Sequence, residues 1–117
     1  MGLTFVEGTV TGPTGTSRSV DFLVDSGATY SLLPQDVWQN LGLKPTETYT
    51  FTLADGTKIE RDIAECRIAL NGTGRHSPVI LGIAGDEPLL GVVTLEILGL
   101  VLDPFQRTLR PMMMRLG

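Results

Sequence analysis

One twelve-residue pattern occurs twice in this chain. Residues 32–43, Leu-Leu-Pro-Gln-Asp-Val-Trp-Gln-Asn-Leu-Gly-Leu, lie over residues 89–100, Leu-Leu-Gly-Val-Val-Thr-Leu-Glu-Ile-Leu-Gly-Leu, at a constant offset of 57, and five of the twelve positions are identical. Each copy follows an apolar stretch and a loop, and each reads as a short helix closed by glycine. Pro34 suits the first turn of a helix over 34–40 with Gly42 at its end, and the second helix covers 92–98 with Gly99 as its cap. Repetition of one supersecondary unit means two related halves packed around a shared core. The competing reading, two unrelated Leu-rich helices, leaves the common strand-and-loop context unaccounted for.

The remaining chain reads as strands and turns. Residues 3–10 alternate as a strand, 11–19 are a loop of turn formers, and 20–24 are a buried strand that ends at Asp25. Asp55-Gly56 marks a hairpin pairing 48–53 with 57–63. In the return strand the polar residues Lys58, Glu60 and Asp62 are even-numbered, yet so are the apolar Cys66, Ile68 and Leu70; the phase flips near Ala64, predicting a bulge or kink. Asn71-Gly72 is a second turn, residues 77–83 another buried strand, and 100–102 with 108–110 closing strands. The expectation is a mostly β single domain over residues 1–117 with two short helices.

Composition removes several function classes. The net charge is −4 and no Lys/Arg cluster offers a phosphate footprint, so no nucleic-acid partner is expected; Arg107, Arg110 and Arg115 read as solvated surface. One cysteine, Cys66, and one histidine, His76, exclude a Cys/His zinc site within one chain and any histidine triad not centred on His76. No secretory signal and no run of about 20 apolar residues is visible. With a single cysteine, read as a small buried hydrophobe, this predicts a cytoplasmic protein in a reducing compartment, without membrane, metal or cofactor. Carboxylates remain to carry chemistry.

The two halves differ at one telling place. The first carries Asp25-Ser26-Gly27 in its loop, and the second has Gly82-Ile83-Ala84 at the same offset. Leu-Val-Asp-Ser-Gly-Ala-Thr (23–29), the hairpin tip Ala54-Asp55-Gly56, and Leu89-Leu90-Gly91 followed by a short helix resemble the retropepsin-like aspartic proteases, and the ending Leu-Glu-Ile-Leu-Gly-Leu-Val-Leu-Asp-Pro (95–104) resembles their small prokaryotic members. The resemblance runs from about residue 3 to 111. It implies a closed retropepsin-like (acid protease) β-barrel with a catalytic loop at 25–28, a flap hairpin over about 48–63, and a second psi-loop and helix over about 79–98. It further implies a homodimer in which Asp25 meets its symmetry mate and Ser26 locks the two loops. Gly27 would approach both carboxylate and substrate, and Ala28 would line the substrate floor. Ala54, Asp55 and Gly56 would form the flap tip over an extended peptide or protein substrate, and Leu89, Leu90 and Gly91 the interwoven loop beneath. Val92-Val93 departs from the Arg-Asp/Asn of viral enzymes, and the tail Pro-Met-Met-Met-Arg-Leu-Gly (111–117) departs from viral ends.

The chemistry suits these residue types. Two carboxylates about 3 Å apart share one proton, so the charged member takes a proton from water while the neutral member protonates the carbonyl oxygen. One Asp per chain then calls for two-fold symmetry. The alternative expectation is a non-proteolytic dimer of the same fold acting as a binding or assembly module. Tyr49, Phe51 and Leu53 line one face of the hairpin, either as subsite walls or as core; Trp38 reads as core or partial interface; His76 as a surface or strand-edge residue; Asp21 and Asp103 as structural. Met112 to Met114 are left between packing under the sheet, a subunit interface and a frayed end.

Overall fold

Side-chain alternation decides which strand faces turn inward. The computed structural model describes residues 3–113 together with 115 and 116. In chain order the elements are β1 (Phe5–Thr11), β2 (Ser17–Val24), β3 (Ser31–Leu33), α1 (Gln35–Asn40), β4 (Glu47–Thr52), β5 (Lys58–Leu70), β6 (Thr73–Leu81), β7 (Leu89–Leu90), α2 (Val92–Ile97), β8 (Leu100–Asp103) and β9 (Thr108–Pro111). Val20, Phe22 and Val24 of β2, Val10 of β1, Leu33 of β3, Ile68 and Leu70 of β5, Val79 and Leu81 of β6 and Leu90 of β7 point into one core. Full burial of a side chain such as Phe22 contributes roughly 1.5–3 kcal/mol.

Seven strands form a sheet in the order β1-β2-β7-β3-β6-β5-β4, and β1 also pairs with β5 from Thr9↔Ala69 to Thr11↔Arg67. Six strands therefore close into a barrel, and β4 extends from β5 as the outer arm of a hairpin. β8 and β9 make a separate two-stranded sheet. The architecture is the mostly β, closed barrel with two short helices that the sequence predicts.

Two local expectations need correction. The stretch 11–19 is not all loop: β2 begins at Ser17, paired with Thr11, and only residues 12–16 turn. Ser17, Arg18 and Ser19 hide the strand because solvent reaches both of its faces there and no apolar alternation results. The phase flip at Ala64 is real, since Ile63 and Ala64 are both buried, but no residue is inserted. β5 runs unbroken through Glu47↔Ile63 with β4 and Ile63↔Ile80 and Ala64↔Val79 with β6. The flip marks where β5 leaves the barrel. Ala64 faces the core, whereas Ile63, buried, lies outside the core cluster on the opposite face.

The repeat appears as symmetry of register. β2 and β7 run parallel with Leu23↔Leu89 and Val24↔Leu90, while β3 and β6 run parallel with Leu32↔Ile80 and Leu33↔Leu81. Shifting by 57 residues converts each pair of the first set into one of the second. Leu32↔Leu89, joining β3 to β7, maps onto itself and marks the pseudo-two-fold axis. The loops obey the same rule: Asp25 N–H donates to Leu90 O at 3.0 Å and Gly82 N–H to Leu33 O at 2.8 Å. The helices end alike, with Gly42 at φ +73° and Gly99 at φ +70°, a left-handed conformation that favours glycine.

Candidate active site

β2 delivers Asp25 to the surface at its C-terminal end, half-exposed, on the face opposite the core. Its carbonyl accepts the Ala28 N–H at 3.1 Å, closing a tight turn, and its Oδ1 accepts the Gly27 N–H at 2.9 Å. A Cβ on Gly27 would lie 3.2 Å from that carboxylate oxygen, so the small residue keeps the acid's approach open. Ser26 is exposed and lines an apolar cleft of about 210 Å³ with Val92, Leu95, Leu100, Val101 and Met112. Ala28 is half-buried.

The loop is laced to the second half. Ala28 O accepts the Val92 N–H at 2.8 Å and Thr29 O the Val93 N–H at 2.9 Å, so the first turn of α2 uses its free donors on the Asp25 loop. Leu90 is fully buried, Leu89 is half-buried opposite Leu23, and Gly91 lies under Tyr30. The structure thus brings Asp25, Gly27, Ala28, Leu90 and Gly91 together. Ala54, Asp55 and Gly56 stand at the exposed tip of the β4–β5 hairpin. There Gly56 N–H donates to Leu53 O at 2.9 Å with Gly56 at φ +87°, and Asp55 Oδ1 accepts the Thr57 N–H at 2.8 Å. Hydrogen bonds from Thr57 hold the Asp55 carboxyl below its ordinary range.

Beside Asp25, Leu23, Leu89, Leu32, Ile80 and Ile63 pair in succession across β2, β7, β3, β6 and β5. None of them belongs to the core cluster, so together they form an apolar floor on the outer face. Tyr30 reaches the β4–β5 hairpin, its ring 5.8 Å from Tyr49 and 6.0 Å from Phe51 on β4. Tyr49 and Phe51 are therefore half-buried walls against Tyr30, whereas Leu53 is exposed. A larger cleft of about 690 Å³, lined by Arg18, Asp21, Asp36, Glu87 and others, runs along β2 without including Asp25.

The second loop has Gly82 where the first has Asp25, its own Asp86 accepting the Ile83 N–H at 2.8 Å, and the Gly82 position is capped. Trp38 Nε1 donates to Gly82 O at 2.8 Å, so this ring, packed against the core, covers the twin of the Asp25 position. Among the other sequence candidates, Cys66 is buried and its thiol is pushed up to about 12 by burial, with the Glu65 charge adding to the effect. Asp103 Oδ1 accepts the N–H groups of Phe105 and Gln106, both at 3.1 Å, and its other oxygen pairs with Arg110 at 3.5 Å. His76 is exposed, Met112 is half-buried in the Ser26 cleft, Met113 is exposed, and Met114 lies outside the described residues. Among the described residues no three His, Cys, Asp or Glu gather to hold a metal ion, and no helix is long and apolar enough to cross a membrane.

Sequence reasoning missed Tyr30 and a buried hydroxyl cluster formed by Ser31, Ser77 and Thr94. The signal for the cluster lay in the repeat, which sets Val37 against Thr94 and Val20 against Ser77, a valine in one half where the other has a hydroxyl.

Residues 6–96 match the family model described as aspartyl protease. No curated protein matches the sequence. Among solved structures the chain is similar to a retropepsin-like aspartic protease from Rickettsia conorii (TM-score 0.60, 22% identity, 87% of this chain and 77% of that one). It is also similar to EIAV protease complexed with the inhibitor HBY-793 (TM-score 0.61, 19% identity, 84% and 89%) and to the simian foamy virus protease (TM-score 0.58, 20% identity, 80% and 93%). At these identities the structural likenesses speak to the fold.

Proposed function

The chain belongs to the aspartyl protease family, and from that premise we propose that it is an aspartic endopeptidase working as a homodimer on extended peptide or protein substrates. The observation that carries the reading is the setting of Asp25. It is a half-exposed carboxylate at the end of a buried strand, oriented by the Gly27 N–H, in a chain whose twin loop has Gly82 in place of an acid. A second copy related by a two-fold axis supplies the missing carboxylate. The reading takes residues 1–117 as a single domain with no cofactor.

In the dimer the two Asp25 side chains hold one proton between them. The charged one accepts a proton from the water as its oxygen attacks the peptide carbonyl carbon, and the neutral one gives its proton to the carbonyl oxygen. Proton transfer to the amide nitrogen then lets the C–N bond break and leaves acid and amine products. Cleavage is confined to the pH window in which the pair is singly protonated, which makes the profile bell-shaped. Ala28 and the apolar row beginning at Leu23 seat the peptide, and the β4–β5 hairpin, with Ala54, Asp55 and Gly56 at its tip, covers it. Ser26 and Leu89-Leu90-Gly91 support the paired loops.

We assign the partner copy to the β8–β9 sheet and the apolar cleft beside Ser26, where Val101 is 42% exposed. A charge on this surface, Val101→Glu, should shift the protein toward monomer in sedimentation, and an unchanged dimer would remove the assignment. The deciding experiment is cleavage of a peptide library from acid to neutral pH by the wild type and by Asp25→Asn. Wild-type cleavage that the variant lacks, with the fold unchanged, is the expected result. Equal cleavage by both would place the chemistry elsewhere. No cleavage by either, in a protein that sediments as a dimer, would favour the binding-module alternative.

A further inference from the structure

A chain of three buried hydroxyls runs beneath the Asp25 loop, and its direction is determined by its ends. Ser77 Oγ donates to Pro78 O at 3.1 Å, so in its 2.8 Å contact with Thr94 Oγ1 it accepts. The Thr94 proton is thereby used, so in the 2.6 Å contact between Thr94 and Ser31 it is Ser31 that donates. Ser31 Oγ in turn accepts the Gly91 N–H at 3.0 Å. Every hydroxyl donates once and accepts once, all in one sense. Ser31 and Thr94 are fully buried and Ser77 is 1% exposed, so water does not substitute for a lost link.

The pseudo-symmetric half shows what the chain is for. The positions equivalent to Gly91, Ser31, Thr94 and Ser77 are Pro34, Pro88, Val37 and Val20. That half builds the same junction from apolar groups because Pro34 has no N–H to satisfy. Its counterpart has no room for proline or any side chain unless the backbone shifts: a Cβ on Gly91 would lie 2.6 Å from the Tyr30 carbonyl carbon and oxygen. Gly91 therefore keeps a buried N–H, which the hydroxyl chain absorbs. The following donors, Val92 and Val93 N–H, hold Ala28 and Thr29 of the catalytic loop.

We propose that Ser31, Thr94 and Ser77 act as positioning residues for Asp25, acting through Gly91 and the first turn of α2 and anchoring the acid loop to β6. The activity arm of the test rests on the protease reading; the exchange arm does not. Amide hydrogen exchange over residues 25–31, set against β1 as internal reference, is measured in Ser31→Ala, Thr94→Val, Ser77→Ala and Thr94→Ser. Alongside it, kcat and KM are measured on a peptide that the wild type cleaves. Ser31→Ala and Thr94→Val should speed exchange of the loop by about tenfold relative to β1, the equivalent of one net buried hydrogen bond. They should lower kcat on the order of a hundredfold with KM little changed, as expected for a reacting group displaced by about 1 Å. Ser77→Ala, which breaks only the distal link, should do less, and Thr94→Ser, which keeps the hydroxyl, should behave as wild type. Should Thr94→Val not fold, Ser77→Ala against Thr94→Ser decides: faster loop exchange in the former alone supports the relay. Loop exchange unchanged in every folded variant, or a Thr94→Ser protein as impaired as Thr94→Val, overturns it. If the wild type cleaves no peptide, the protease reading fails and the exchange result still stands.

Discussion

Replacing Gly91 by alanine tests the coupling of the two halves with a single methyl group. The backbone there has φ −99° and ψ 176°, which alanine adopts without strain, so the effect comes from contact alone. The added Cβ would lie 2.6 Å from both Tyr30 C and Tyr30 O and 2.9 Å from Thr29 O, all backbone atoms, against an ordinary contact distance of 3.4 Å or more. The Asp25 loop or α2 must therefore move by about 0.8 Å, within the range where over-packing costs roughly 1–3 kcal/mol. For 117 residues the unfolding entropy makes 1 kcal/mol worth about 4 °C, so the melting temperature should fall by about 4–12 °C. A displacement of nearly 1 Å at the reacting group should also reduce kcat/KM on the order of a hundredfold. Gly85→Ala is the control: its φ of +91° carries backbone strain, but nothing lies within 4 Å of the added Cβ, so it should lower stability while sparing turnover of the folded enzyme. The assay pairs thermal denaturation with peptide cleavage per folded molecule. A Gly91→Ala protein as stable and active as wild type would refute the close packing on which the reasoning stands.

Tyr30→Ala removes both ring contacts to β4, each worth about 0.5–1.5 kcal/mol, so amide exchange in β4 should accelerate while Tyr30→Phe protects as wild type does. Asp55, whose carboxyl the Thr57 hydrogen bonds hold below its ordinary 3.8, steadies the flap tip fully above that value and loses the effect as pH falls through the lowered one. Asp55→Ala should therefore loosen the Thr57 amide at neutral pH and make no difference in strong acid, as read by exchange or amide chemical shift. Cys66 has the opposite sign: its thiol rises from 9.0 to about 12 on burial, so its contribution is whole below 9 and declines as pH climbs toward 12. A thiol reagent at pH 8 should label Cys66 only in denaturant; rapid labelling of the native protein would contradict its burial.

Periodicity and turn chemistry are local, and they were legible. Asp55-Gly56 and Asn71-Gly72 placed their hairpins because positive φ is written in the residue type: Gly56, Asn71 and Gly72 all adopt it. The repeat, Asp25 and the small residues beside it were legible because the spacing of identical residues survives in a string of letters. The closure of the barrel through Thr9↔Ala69 was not, since it joins strands about sixty residues apart. Nor was the meaning of the phase flip at Ile63-Ala64, because alternation reports that an inside has changed and not whether a residue was inserted or the strand passed from barrel to flap. Tyr30 meeting Tyr49 and Phe51, Trp38 covering Gly82, and Ser31 meeting Thr94 and Ser77 have no sequence period at all. A buried N–H demands an acceptor, but which hydroxyl supplies it depends on which strands lie side by side, and only the folded chain decides that.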